Sequence, residues 1–219
     1  MNTKRTIQLA VVVMLAMGLN ASATLVDSQS TPVGLTANGA WSTDGFRVAW
    51  DVSDNGNGTW HYSYEFTKSG DGPEFSPLEK DVSHFIIQVS ESFTGDDLLT
   101  GNGEIKWYGP DDSSNPGIPG PIWGIKLELD GQNSFSFDST RAPMWGDFYA
   151  KDGVSGDDWN YVSNRSFGEE VINLHDVNAP TALGNNGALY KILVPNTIPE
   201  PATLILLGLG SVLLRRRRN

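Results

Sequence analysis

The chain has 219 residues, of which 15 are lysine or arginine and 26 are aspartate or glutamate, and it contains no cysteine. This length suits one ordinary domain with additional segments, since a domain usually takes about 100–200 residues. The absence of cysteine excludes a disulfide framework, a thiolate nucleophile, an iron–sulfur cluster and cysteine-bound zinc.

The first 23 residues have the pattern of a secretory signal peptide. Two basic residues supply a positive start, an apolar run of eleven residues follows, and Ala21 and Ala23 form a small-x-small cleavage site. Eleven residues span only about 16 Å as a helix, against a hydrocarbon core of about 30 Å. We therefore predict a signal helix over residues 1–23 that is cleaved before Thr24, rather than a membrane anchor.

The body that follows is predicted to consist of short strands. Residues 60–66 alternate strictly between aromatic and polar side chains, which is typical of a half-buried strand. Residues 47–52 form a second predicted strand, and the Asn-Gly pairs within residues 54–58 favour a hairpin turn between the two. The other predicted strands cover residues 84–90, 124–129, 134–138, 147–150, 171–174 and 189–194.

Turn-forming residues indicate how these strands are arranged. Glycine, proline, aspartate and asparagine interrupt the body about every ten residues, so a long helix has no room there. Regular short strands of this kind favour two packed sheets. We predict an all-β fold, an antiparallel β-sandwich with jelly-roll-like connections.

The body is strongly acidic once the two terminal segments are set aside. Residues 24–198 carry 9 basic and 25 acidic side chains, which is a net charge of about −16. Such a charge repels phosphate groups and argues against a nucleic-acid partner. It also repels anionic polymers unless divalent cations bridge the two. Solubility alone is the simplest explanation of the charge, although cationic partners and calcium remain compatible with it.

Aromatic residues in turn-rich segments are the candidate ligand-binding residues. Trp107, Tyr108, Trp159 and Tyr161 lie close to aspartates in the sequence, and sugar faces stack on aromatic rings. These residues predict a carbohydrate site, as in a lectin-like module. The simpler interpretation is that the rings close the ends of the sandwich core.

Oxygen ligands for calcium are available in one acidic segment. The candidates are Asp152, Asp157 and Asp158, because carboxylates are the ligands that calcium prefers. Their spacing does not fit an EF-hand. An ordinary acidic turn explains the same segment, so no cofactor is required.

Catalytic motifs are absent from the sequence. It has no Walker loop, no His-Glu-x-x-His and no Gly-x-Ser-x-Gly, and His61, His84 and His175 have no metal-ligand spacing. The strongest enzymatic alternative is a secreted glycoside hydrolase, which needs two carboxyl groups. Glu79 and Asp81 match the first two positions of the Glu-x-Asp-x-x-Glu pattern of laminarinase-type sandwiches. His84 replaces the third acid, so we predict a non-catalytic protein.

The C-terminal segment consists of a Pro-Glu-Pro sequence, an apolar run and a cluster of four arginines. Thirteen mainly apolar residues, 202–214, make about 20 Å of helix, which is short for a stable membrane span. Guanidinium groups do not cross a bilayer cheaply and prefer its cytoplasmic side. This pattern suits a temporary stop in the inner membrane. The residues that flank the apolar run are Pro199, Glu200, Pro201, Arg215, Arg216, Arg217 and Arg218.

This tail resembles the PEP-CTERM sorting signal of exported proteins. The resemblance implies a substrate of exosortase, an integral-membrane, transpeptidase-like processing enzyme of Gram-negative bacteria that make exopolysaccharide and biofilm. It implies export, a transient inner-membrane tether, and a final place at the cell surface or in the extracellular matrix. An ordinary C-terminal membrane anchor is the alternative. The predicted organisation is therefore a signal peptide at 1–23, a body at 24–194, and a linker with the sorting tail at 195–219.

Overall fold

The computed structural model describes residues 24–69, 76–129, 131–155, 158–169, 177 and 190–197. In these ranges the chain is mostly antiparallel β-structure, as predicted, and its helical parts are α1 (Ala40–Asp44) and a 3₁₀ turn (Gly95–Asp97). The strands are β1 (Thr24–Ser30), β2 (Leu35–Asn38), β3 (Arg47–Asp54), β4 (Trp60–Thr67), β5 (His84–Gln88), β6 (Glu104–Tyr108), β7 (Ile122–Glu128), β8 (Ser134–Ser139), β9 (Ala142–Gly146), β10 (Phe148–Ser155), β11 (Asp158–Asn164) and β12 (Ile192–Thr197).

Two sheets pack face to face and form the predicted sandwich. One has the strand order β1-β3-β4-β8, and the other has the order β2-β11-β10-β5-β7-β6. Alternate side chains of both sheets enter one hydrophobic cluster. The rings of Tyr64 and Phe66 on β4 contact Phe85 on β5, with centroids 5.2 and 5.0 Å apart. The smaller sheet of β9 and β12 contributes Trp145 and Val194 to the same cluster.

The hairpin predicted between residues 47–52 and residues 60–66 is confirmed. β3 and β4 pair in continuous register from Arg47 opposite Thr67 onward. Gly56 and Gly58 in the turn have φ angles of 74° and 83°, which residues with a side chain rarely adopt. The aromatic side chains of β4 face the core because a strand alternates its side chains between two faces.

Several strands were not predicted, and two of them change the interpretation of the aromatic candidates. Trp107 and Tyr108 lie on β6, and Trp159 and Tyr161 lie on β11, so the prediction that they occupy turn-rich segments is wrong. Gly, Pro, Asp and Asn stand close to the ends of both strands. These turn-forming residues led us to interpret both segments as turns. The strand predicted at 171–174 lies outside the described residues.

The last strand continues further than predicted. β12 extends beyond Val194 to Thr197, with Pro195 opposite Pro143 of β9 and a register shift before Thr197. Proline donates no ladder hydrogen bond and is tolerated at sheet edges and bulges, which explains how the strand passes through it. Residues 195–197, expected to be a linker, therefore belong to the strand. The predicted signal helix and C-terminal hydrophobic helix lie outside the described residues.

Candidate functional site

The first pair of candidate aromatics divides between the two faces of its sheet. Trp107 and Tyr108 are consecutive on β6, so their side chains point in opposite directions. Tyr108 is buried, and its hydroxyl donates to the Glu104 carbonyl oxygen at 2.7 Å. Trp107 is 54 % exposed, and its ring makes an edge contact with Trp123 of β7, with centroids 5.8 Å apart. Only Trp107 of this pair offers a ring to solvent.

The second pair shares one face of β11. The exposed ring of Trp159 lies under the Lys151 ammonium, with Nζ 4.8 Å from the ring centroid. Tyr161 stacks on Tyr149 at 6.4 Å between centroids. A β-carbon at Gly117 would lie 2.2 Å from the Tyr161 ring, so the loop before β7 closes over this tyrosine only because a glycine is present. Trp159 is therefore the more accessible ring of the pair.

The two exposed tryptophans do not form one binding platform. Strand register places Trp107 on the face that points toward the opposing sheet, with Ile105 and Ile125, whereas Trp159 lies on the outer face with Lys151. β6 and β11 are four strand positions apart, which is about 19 Å at about 4.8 Å per strand. A sugar bound at one ring would not contact the other.

The acidic candidates for calcium do not form a ligand set in the described part of the chain. Asp152 lies at a bulge of β10, Asp158 begins β11, and Asp157 is outside the described residues. Across the described ranges, no three aspartate, glutamate or histidine side chains lie close enough together to hold a metal ion. Oxygen ligation of calcium usually needs six or more ligands, so the described acids supply no calcium site.

The two acids of the glycosidase-like pattern are engaged in surface contacts. Glu79 accepts a hydrogen bond from Lys68 Nζ at 2.6 Å, and this contact is the main cause of a lowered pKa for Glu79. Asp81 accepts a hydrogen bond from Asn133 at 3.1 Å. Both acids precede β5 instead of lying on one strand. A general acid needs a raised pKa, which is opposite to the shift at Glu79.

The histidines of the described body have structural partners. His84 is buried, and its Nε2 lies 2.8 Å from Oδ1 of Asn115 in the loop that covers the outer face of the larger sheet. Burial, with a smaller effect of Lys126, lowers the pKa of His84 to about 4. His61 Nδ1 lies 2.8 Å from Asp138 Oδ1. His175 is outside the described residues, and nothing in these contacts indicates a metal or catalytic role for the other two.

A buried polar cluster, formed by Asp147, Asn164 and Lys191, was not anticipated from the sequence. Oδ1 of Asp147 accepts hydrogen bonds from Lys191 Nζ and, at 2.7 Å, from Asn164 Nδ2, while Oδ2 accepts one from the Gly168 N–H at 3.0 Å. The Phe148 N–H donates to Asn164 Oδ1 at 3.0 Å. The lysine and aspartate side chains are only 3 and 5 % exposed. The one feature of the sequence that could have indicated this cluster is the position of Lys191, a charged residue directly before the apolar residues that begin β12.

Comparison with known proteins identifies the function of the tail. By its fold the body is an antiparallel β-sandwich, and its last strand leads directly into the C-terminal segment. A PEP-CTERM protein-sorting motif matches residues 197–218, which include all seven predicted motif residues. The chain thus carries this sorting motif, which implies an exported protein that exosortase sorts through a membrane-anchored intermediate.

The match is confined to the tail. No curated protein matches the chain, and no solved structure matches it either. Within the described ranges, no helix is long and apolar enough to cross a bilayer. The signal cleavage residues Ala21 and Ala23 and the motif residues from Pro199 onward lie outside those ranges.

Proposed function

We propose that this protein is a non-catalytic component of the cell envelope or extracellular matrix, which works in or near exopolysaccharide or biofilm after its tail has sorted it. The observation that carries this proposal is the sorting motif at residues 197–218, joined directly to a folded β-sandwich. The tail directs export and sorting, and the β-sandwich body is the part of the protein that acts outside the cell.

The strand that precedes the tail, β12, is part of the hydrophobic core. Ile192, Leu193 and Val194 of β12 are buried, and the Tyr64 hydroxyl donates to the Leu193 carbonyl oxygen at 2.8 Å. The motif begins at Thr197, the last residue of the same strand. Only residues 198–201 separate β12 from the apolar run, so the body is held close to the bilayer surface while the tail is in the membrane.

Charge favours departure from that position. The body has a net charge of about −16, and anionic headgroups repel it strongly within about one Debye length, about 8 Å at physiological ionic strength. Once the tail is processed, this repulsion favours release of the body from the inner membrane. The acidic surface thus supports a destination away from the membrane, in the hydrated layer outside the cell.

The test compares three forms of the protein in a host that makes exosortase. We expect the full chain to reach the cell surface or medium. A variant with Pro199, Glu200 and Pro201 all replaced by alanine should stay in the inner-membrane fraction. It keeps the apolar run and the arginines but lacks the Pro-Glu-Pro sequence that exosortase would recognise. Deletion of residues 199–219 should leave a soluble periplasmic body. If the alanine variant is distributed like the full chain, the sorting role is refuted.

Carbohydrate binding is the second candidate function, and the exposed rings favour it. Trp107 and Trp159 are 54 and 40 % exposed, and an exposed aromatic ring is a stacking surface for a sugar. We expect binding on a glycan array that Trp107→Ala abolishes and Trp159→Ala retains, or the reverse, because the rings lie on different faces. Repetition with a chelator tests calcium dependence. An array without any signal removes this candidate.

A further inference from the structure

The buried polar cluster arranges a primary amine, a carboxyl group and a carboxamide around one oxygen atom. Lys191 Nζ and Asn164 Nδ2 both donate to Oδ1 of Asp147, so the two nitrogens are at most about 5–6 Å apart. All three residues are almost completely buried. This places a nucleophile and an amide electrophile side by side, away from bulk water.

The contact between Lys191 Nζ and Asp147 Oδ1 gives the amine a neighbouring group that can accept its proton. A buried ion pair must offset the lost hydration of both charges, which is costly in a medium of low dielectric constant. Transfer of one proton from Lys191 Nζ to Asp147 Oδ1 replaces the two charges by a neutral amine and a neutral carboxylic acid. A neutral amine has the free electron pair that nucleophilic attack requires.

The remaining contacts correspond to the parts of an acyl-transfer site. The Phe148 N–H donates to Oδ1 of Asn164 at 3.0 Å, where negative charge develops when the amide carbon is attacked. Asp147 is hydrogen-bonded to both the attacking and the leaving nitrogen, which is the position of a proton-transferring group. The Gly168 N–H at Oδ2 holds this carboxyl in place.

We propose that Lys191 and Asn164 become joined by an intramolecular amide bond, with Asp147 as the proton-transferring residue. Lys191 Nζ attacks Asn164 Cγ and forms a C–N bond, and the Cγ–Nδ2 bond breaks. Asp147 takes a proton from Nζ and gives one to Nδ2, which leaves as ammonia. The reaction needs no oxidant, metal or co-reactant, and the chain loses about 17 Da.

The cross-link would fasten the strand that carries the sorting tail. Lys191 directly precedes β12, and Asn164 ends β11 in the larger sheet. Pulling force applied through the tail would meet a covalent bond at the base of β12 instead of a ladder of hydrogen bonds. In a chain without cysteine, this bond supplies the loop-closing constraint that a disulfide supplies in other exported domains.

The test is tandem mass spectrometry of tryptic peptides from the folded full-length protein. Terminal processing alters the intact mass, so the cross-link is sought in the peptides. We expect trypsin not to cleave after Lys191, and we expect a branched species that joins the peptides containing Lys191 and Asn164, about 17 Da lighter than their sum. Unmodified Lys191 and Asn164 peptides from the folded protein would overturn the proposal.

Two variants test the roles of the residues. Asp147→Ala should leave both peptides separate, and a cross-link formed without Asp147 contradicts its assigned role. Lys126→Met is the matched control, because Lys126 pairs with Glu128 at the sheet surface, and it should leave the cross-link intact. If Asp147→Ala fails to fold, the presence or absence of the branched peptide in the unaltered protein still decides whether Lys191 and Asn164 are cross-linked. A loss of about 18 Da that joins Lys191 to Asp147 instead would overturn the choice of Asn164.

Discussion

Replacement of Asp97 by asparagine should destabilise the body by about 3 kcal/mol. Arg141 donates from Nε to Asp97 Oδ1 at 2.8 Å and from a terminal nitrogen to Oδ2 at 2.9 Å, and the two side chains are 8 and 16 % exposed. An asparagine would place an N–H group opposite a guanidinium that accepts no hydrogen bond. The low end of the range of about 3–5 kcal/mol for breaking a buried pair applies, since Asp97 keeps some contact with water.

The same pair makes the effect depend on pH. The hydrogen bond from Arg141 is the main cause that holds the pKa of Asp97 well below its ordinary value. A carboxyl with a lowered folded pKa contributes its stability above its unfolded pKa, about 3.9, and loses it as the pH falls toward the folded value. The difference in stability between the unaltered protein and Asp97→Asn should therefore be largest at neutral pH and shrink below about pH 4.

The measurement is urea unfolding followed by tryptophan fluorescence at neutral pH and near pH 3. Glu79→Gln is the matched control, because it removes an ion pair to Lys68 in which the carboxylate side chain is 67 % exposed. Surface pairs contribute little, so we expect no measurable change in the unfolding midpoint from this control. Equal shifts from the two substitutions, or a difference that does not shrink at low pH, would refute the reasoning.

Three further outcomes follow from the contacts of buried side chains. Tyr64→Phe removes the hydroxyl that donates to Leu193 and should cost about 1 kcal/mol in urea unfolding; an unchanged midpoint would contradict that contact. Trp145→Ala should cost about 3–5 kcal/mol because the ring is fully buried, whereas Trp107→Ala should be nearly neutral in thermal unfolding. The His84 ring should stay neutral in an NMR titration down to about pH 4, so its contribution to stability falls as the pH drops from about 6.5; titration near pH 6.5 would contradict its burial.

The local sequence pattern was sufficient to predict the strands in which apolar and polar side chains alternate strictly. The β3–β4 hairpin was predictable because each strand buries one face, and the turn of residues 54–58 has glycines at the positions with positive φ. β6 and β11 were missed because each is bordered by turn-forming residues, and neither shows a strict alternation of apolar and polar side chains over its length. The cross-sheet partner that buries a strand is not visible in a local window of sequence.

Candidate binding residues were harder to judge for the same reason. Exposure of Trp107 and burial of Tyr108 follow from the face to which each side chain points and from what covers that face. The larger sheet has six strands and the opposing sheet has four, so the larger one has positions that the opposing sheet cannot cover. Composition identified aromatic residues but not which rings remain accessible.

The sequence by itself determined the all-β class and the sorting tail, because strand alternation and a Pro-Glu-Pro, apolar and arginine succession are contiguous patterns whose physics is local. Only the tertiary structure decided which distant side chains meet. Asp147 lies 17 positions from Asn164 and 44 from Lys191, and the pairing of β10 with β11 and of β12 with β9 brings the three to one oxygen atom. Such a meeting depends on sheet order and burial, which arise when the whole chain packs around one core.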